Sequence, residues 1–143
     1  MKKTIGKHNQ PKKLSAQALV EFALVLPIVI LIVLGAMDIG RLFFLKMSLV
    51  NAAREGANYL AFYPEDKDNG FAGTLTIISE EGSNSFMTLT EPDVSFIGCC
   101  TRGLPVEVTV TKTIDLILDS VLQSLGLIGG PVQLTGTVSM VVQ

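Results

Sequence analysis

The chain has 143 residues, a formal net charge of −2 and 48% hydrophobic residues, which is the size and apolar content of one small domain. Its charges are unevenly distributed. Five lysines and no acidic residue lie in the first 13 positions, whereas 12 acidic and 6 basic residues lie from Asp38 onward. The acidic balance of this larger part argues against a nucleic-acid partner.

Residues 17–37 predict a helix that spans a membrane. These 21 residues, at about 1.5 Å each, measure roughly 30 Å, the thickness of the hydrocarbon core of a bilayer. Glu21 is the one charged residue among them, and a carboxylate inside a span is by default a functional residue with a partner. The alternative role for Glu21 is to snorkel towards the headgroups. Because the lysines precede the span, the positive-inside rule places the amino terminus in the cytoplasm.

The pattern divides the chain into three segments. Residues 1–16 are a basic, aperiodic leader that is predicted to be disordered and cytoplasmic. Residues 17–62 are predicted to form one long helix, apolar on all sides along the span and amphipathic over residues 38–62, which Pro64 ends. Residues 63–143 are predicted to form an extracytoplasmic, β-rich domain.

Short strands account for most of the predicted structure of that last segment. The candidate strands are Thr74–Ser79, Ser85–Thr90, Val94–Ile97, Val106–Thr111 and Val132–Val142. The spacing from Ile114 to Leu125 predicts a short helix, and the stretch from Asp66 to Gly70 predicts an acidic hairpin turn, because Asn-Gly is a strong hairpin signal. Packing of the helix stripe on the sheet gives the predicted fold class, α+β, with a long helix on a small antiparallel sheet.

The amphipathic half of the helix carries a surface of small residues at Ala52, Ala53, Gly56 and Ala57. Small residues allow a close approach, either to the chain's own sheet, which is the more economical arrangement, or to another helix.

Cys99 and Cys100 are the only two cysteines. Three states are compatible with their adjacency in an extracytoplasmic domain: a vicinal disulfide, an intermolecular bridge or free thiols.

Residues for catalysis and metal binding are scarce. The only histidine, His8, lies in the leader, two cysteines cannot complete a four-ligand zinc site, and the acidic stretch from Asp66 lacks the EF-hand spacing. The sequence therefore predicts no enzyme, no metal site and no cofactor.

Three blocks of sequence carry a resemblance to a known family. The blocks are ALVEFALVLP at residues 18–27, DIGR at residues 38–41 and NAAREGA at residues 51–57. In this order and combination, the chain resembles the TadE-like family of Tad (tight adherence, Flp-type) pilus assembly proteins, which are pilin-like pseudopilins.

The resemblance implies processing by a membrane prepilin peptidase. The cut would fall between Ala16 and Gln17, and this chain has Ala16 where prepilins usually have glycine. Glu21 and Phe22 would become the fifth and sixth residues of the mature chain. Glu21 could then pair with the new α-amino group of a neighbouring subunit, since a buried charge pair of this kind fixes register.

The implied function is that of a minor pilin-like protein in the assembly of a Tad/Flp-type pilus of the type IV class. Its implied partners are the membrane, the prepilin peptidase, the assembly machinery and other pilin-like subunits. The implied location is the cell membrane, as a single-pass protein, or the cell surface within a pilus. Two other interpretations stay open: a membrane-anchored extracytoplasmic binding module unrelated to a fibre, and a domain secreted after removal of a signal peptide.

Overall fold

The computed structural model describes residues 14–98, 100–127 and 129–143. The helices are α1 (Leu14–Phe62), α2 (Ala72–Asn84) and α3 (Ile117–Ser124), and the strands are β1 (Val94–Ile97), β2 (Pro105–Ile114) and β3 (Val132–Val141). Two 3₁₀ helices, Pro64–Asn69 and Glu91–Asp93, precede α2 and β1. The fold is therefore α+β, as the sequence predicted.

The long helix α1 dominates the molecule. Its 49 residues measure about 74 Å at 1.5 Å per residue. Pro27 lies inside it, and the helix continues through this residue. It ends at Phe62, as predicted, because Tyr63 precedes Pro64 and a residue before proline is disfavoured in the helical conformation.

The three strands form one antiparallel sheet in the order β1-β2-β3. Its apolar face includes Val106, Val108 and Val110, none of which is exposed. The opposite face carries threonines, and the hydroxyl groups of Thr109 and Thr137 lie 3.0 Å apart on neighbouring strands. The predicted strands at these positions, and the one at residues 94–97, are confirmed.

The core lies between this apolar face and the amphipathic half of α1. The α1 residues with no exposed surface are Leu49, Ala52, Ala53, Ala57 and Leu60. Full burial of a valine or leucine side chain contributes about 1.5–3 kcal/mol. At Gly136 the backbone of β3 comes so close to α1 that a Cβ atom there would lie 2.6 Å from the carbonyl carbon of Leu49.

Two predicted strands are wrong. Thr74–Ser79 lies inside α2, and residues 85–90 form no strand. Thr74, Ile78 and Gly82, spaced by four residues, are the buried residues of α2, so one face of a helix, and not one face of a strand, packs here. The backbone amide of Thr74 is also capped by Asp66, which favours a helix start at this place.

The predicted hairpin at Asn69 and Gly70 is also wrong. The segment is a 3₁₀ helix that ends at Asn69. Gly70 follows with φ +67° and Phe71 with φ +61°. The Asn-Gly signal correctly marks a left-handed backbone, but that backbone connects two helices here.

Smaller corrections concern Ile114 and Ser48. Ile114 ends β2, so the short helix begins at Ile117. Ser48, a polar residue of the sequence outside the apolar stripe of α1, is 4% exposed, and its hydroxyl group donates to the carbonyl oxygen of Phe44 at 3.1 Å.

Candidate helix interface

The first half of α1 lies outside the folded core. Leu19, Phe22 and Leu24 are 68%, 63% and 71% exposed, and the most apolar window of the helix has no buried residue. By length and composition, α1 could cross a membrane. Apolar side chains at such exposure need lipid or other helices around them, because a contiguous apolar surface of this size is unfavourable in water.

Glu21 is exposed on this apolar half. The residues one turn away on the helix are Gln17, Ala18, Leu24 and Val25, none of which is charged. Among the described residues, the Glu21 carboxylate thus has no cation within one turn of its own helix.

The predicted cleavage site lies within α1. The described part of the helix includes residues 14–17, so the peptide bond between Ala16 and Gln17 is helical. Gln17 is exposed. The lysine-rich residues 1–13 of the predicted leader lie outside the described residues.

The small-residue surface faces the chain's own core. Ala52, Ala53 and Ala57 are fully buried, and Gly56 packs against α2 so closely that a Cβ atom there would lie 2.6 Å from Cδ1 of Ile78. The structure thus places these four predicted residues in the contacts that hold α2 and the sheet on α1.

Two residues of the second sequence block hold α3. The Asp38 carboxylate, 4% exposed, accepts hydrogen bonds from the backbone amides of Ile117 at 3.0 Å and Leu118 at 2.7 Å. It therefore caps the amino-terminal end of α3, whose own capping residue makes no side-chain cap bond.

Arg41 supports the same connection, because its Nη1 donates to the carbonyl oxygen of Asp115 at 3.2 Å. We call Asp38 and Arg41 the α3 clamp. Neither residue was predicted to contact α3, because a spacing of three residues shows only that both side chains share one helix face.

Asp66 has a similar capping role for α2. Its carboxylate accepts hydrogen bonds from the amide of Gly73 at 3.1 Å and from the amide and hydroxyl groups of Thr74 at 2.9 and 2.7 Å. Burial acts to raise the pKa of Asp66, but the hydrogen bonds from Thr74 and Gly73 together hold this pKa below its ordinary value. This part of the acidic stretch thus stabilises a helix start.

The cysteine pair is only partly described. Cys100 is 7% exposed and takes part in a disulfide bond, whereas Cys99 lies outside the described residues.

The family comparison concerns α1. The family model described as TadE-like protein matches residues 16–58, which are under a third of the chain but include Glu21, the α3 clamp and the small-residue surface. Comparison with curated proteins finds no match, and comparison with solved structures finds none. The resemblance seen in the sequence is therefore confirmed, and the segment that forms most of α1 is TadE-like, the pattern of Tad pilus-associated proteins.

Proposed function

We propose that this chain is a single-span, minor pilin-like subunit that acts in the assembly of a Tad/Flp-type pilus. Residues 1–16 are a cytoplasmic leader, residues 17–37 cross the membrane, and residues 63–143 lie outside. The role is one of association, without an enzymatic activity or a cofactor.

The observation that supports this proposal most is the division of α1 into two environments. From Leu45 onward the helix carries the core of the outer domain, whereas before residue 34 every described side chain is exposed. The exposed part is long enough to cross a bilayer and is also a surface that other helices can contact. A TadE-like segment with this geometry suits a subunit that is held in the membrane and then packs with similar helices.

Glu21 is the proposed registration residue of this surface. An α-amino group released at Gln17 of a neighbouring copy or related subunit is positively charged near neutral pH. If the helices lie parallel and are displaced along their axes, the amino group can pair with Glu21, and each charge then offsets the desolvation cost of the other. Such a pair fixes the axial position of one subunit relative to the next.

The amino terminus of the mature protein tests the processing step. Mass spectrometry of protein purified from membranes should find a chain that begins at Gln17. An intact amino terminus would favour a simple anchor, and a start near Met37 would favour a secreted domain. Ala16→Leu should block the conversion, because the peptidase is expected to exclude bulky side chains before the cut, whereas Ala16→Gly should leave it intact.

Site-directed crosslinking from the first half of α1 tests the role of Glu21. At equal membrane abundance, Glu21→Gln should reduce crosslinks to pilus components and impair piliation, because the shape remains but the charge is lost. Glu55→Gln is the matched control, since Glu55 is an exposed residue of the same helix in the outer domain. Unchanged crosslinks and piliation in Glu21→Gln would contradict the pairing mechanism.

A further inference from the structure

The short helix α3 lies beside the predicted membrane span. Its amino-terminal end is held by the α3 clamp at Asp38, and Leu118 lies near Gly35, 3.7 Å from the position of a Cβ atom there. Further along α3, Val121 and Leu125 face the first half of α1 across an apolar groove of about 260 Å³. The α1 side of this groove is formed by Leu26, Pro27, Ile30 and Leu31.

These contacts give α3 a direction and a depth. It runs antiparallel to α1, from the level of Asp38 back to the level of Leu26–Leu31. On α1, Leu31 lies seven residues before Asp38, which is about 10 Å along the helix axis. If residues 17–37 cross the membrane, α3 returns from the outer domain into the outer half of the bilayer.

The polar side chains of α3 are satisfied within the helix. The hydroxyl groups of Ser120 and Ser124 donate to the carbonyl oxygens of Leu116 and Val121, at 3.3 and 2.6 Å. The amide nitrogen of Gln123 donates to the Asp119 carboxylate at 2.8 Å. These bonds lower the cost of placing the serines and Gln123 in hydrocarbon. The Asp119 carboxylate is only 8% exposed, so most of its desolvation cost is already imposed by burial within the protein.

In the turn that follows α3, backbone amides are also hydrogen-bonded within the protein. The backbone amides of Leu125, Gly126 and Leu127 donate to carbonyl oxygens of α3 at 3.1, 2.9 and 2.9 Å. Leu125 and Leu127 are nevertheless 65% and 55% exposed, and residues 120–143 contain no charged side chain. The turn thus exposes two leucines while the backbone amides of residues 125–127 are paired.

We propose that α3 and the turn to Leu127 are a second membrane-contacting element, which inserts into the hydrocarbon of the outer leaflet beside the span and is held there by the α3 clamp. The inference rests on the proposed membrane span. It assigns lipid as the occupant because the exposed leucines continue the apolar surface of α1 at a depth where lipid surrounds the span. An amphipathic helix at this boundary resists tilting and axial movement of the chain, so it fixes the depth of the outer domain.

Tryptophan fluorescence in vesicles tests this proposal directly, because the chain has no tryptophan. We would reconstitute the full-length protein in phosphatidylcholine vesicles that contain acyl-chain-brominated lipid, with a single tryptophan introduced by Leu127→Trp, Phe22→Trp or Phe86→Trp. Phe22 reports on the span. Phe86, 99% exposed and beyond α2, reports on the outer domain. Leu127→Trp should lose emission to the brominated lipid to an extent comparable to Phe22→Trp, and Phe86→Trp should keep its emission.

The outcomes separate the two proposals. Quenching of Phe22→Trp without quenching of Leu127→Trp would overturn this inference and leave the span intact, whereas no quenching of either would overturn the span as well. Blue-shifted emission from Leu127→Trp that brominated lipid does not quench, and that shifts red when the protein is diluted, would mean that a second copy covers the tip. Leu125→Trp provides a second position should Leu127→Trp not fold.

The same quenching measurement tests whether the α3 clamp holds α3 in the membrane. Asp38→Ala in the Leu127→Trp background should lower quenching at the tip and leave quenching of Phe22→Trp unchanged. Equal quenching at the tip with and without Asp38 would exclude the clamp as the group that holds α3 in place.

Discussion

The close approach of β3 to the backbone of α1 at Gly136 predicts that one added methyl group destabilises the fold. Gly136 is buried in β3, opposite Val110 of β2. A Cβ atom at this position would lie 2.6 Å from the carbonyl carbon and 2.7 Å from the carbonyl oxygen of Leu49, and 2.7 Å from the amide nitrogen of Val50. All three are backbone atoms, so no rotation of a side chain relieves the clash in Gly136→Ala.

The expected destabilisation follows from this geometry. Overpacking a core by a methylene group typically costs about 1–3 kcal/mol, and a clash with helix backbone belongs at the upper end. Replacing glycine by alanine in a strand otherwise contributes about 0.5–1 kcal/mol of stability, because the unfolded chain loses conformational freedom. The net loss is therefore about 2 kcal/mol, which lowers the melting temperature of a domain of this size by roughly 10 °C.

Thermal unfolding of the full-length protein in detergent, followed by circular dichroism, measures this loss. Gly40→Ala is the matched control, because Gly40 lies in α1 with no atom within 4 Å of its potential Cβ. That substitution should keep or raise the melting temperature, since alanine is favoured over glycine in a helix by about 1 kcal/mol.

A second control uses the identity of the clashing atoms. Leu49→Ala removes side-chain atoms but leaves the backbone of α1 in place, so it should not restore the stability of Gly136→Ala. Equal melting temperatures for Gly136→Ala and the unmodified protein would refute the close packing of β3 on α1.

Three further predictions concern the domain that packs on the second half of α1. Gly56→Ala should also destabilise the fold, but here the clash is with the side chain of Ile78. Ile78→Val should therefore lower stability less in the Gly56→Ala background than alone. Additive losses of stability in a double-mutant cycle would contradict this. Asp66→Asn should lower stability by about 1–2 kcal/mol, because the amide keeps one acceptor oxygen but sets an NH2 group against a donor of Gly73 or Thr74. Asp68→Asn, at an exposed neighbour, is a control without effect. Burial also acts to raise the pKa of Asp93, but hydrogen bonds from Lys112 and Thr90 hold this pKa below its ordinary value. The stability that Asp66 and Asp93 contribute should therefore be present above about pH 4. It should be lost as the pH falls through the two folded-state pKa values. Melting curves recorded between pH 7 and pH 2 measure this effect. The melting temperature should fall less steeply at acid pH in Asp66→Asn than in the unmodified protein, and equal slopes would exclude the effect.

Periodicity in the sequence was sufficient for the elements that have one apolar face. The alternation through Val106, Val108 and Val110 predicted β2, and the three- and four-residue steps through Leu45 and Leu49 predicted the stripe of α1. These patterns are informative because a strand or helix with one buried face places apolar residues at its own period.

Residues 74–79 show where this reasoning fails. Their threonines and isoleucines favour a strand by propensity, but the contacts that make them a helix are distant in sequence. Gly56 receives Ile78 from another helix, and Asp66 caps the helix start from a preceding turn. Tertiary packing overrides a propensity that is worth only tenths of a kcal/mol per residue.

The α3 clamp was hidden for a related reason. A helix-capping residue is normally sought directly before the helix, whereas Asp38 caps α3 from a position 79 residues earlier in the chain. No local pattern can indicate such a cap, because the fold alone determines which helix end meets which carboxylate.

The contacts of α1 divide the TadE-like segment into a part that packs against the rest of the domain and a part that stays exposed. Within residues 16–58, Leu49 meets β3, Gly56 meets α2 and Asp38 meets α3, so each of these elements reaches the helix inside the matched segment. The described part of that segment before Asp38 has α3 beside it and remains exposed over most of its surface. A substitution on the buried second half of α1 therefore acts through folding of the domain, whereas a substitution on the exposed first half leaves the folded core in place and suits a test of the proposed association. This separation is why Glu21 can be tested at equal abundance and why the packing glycines cannot.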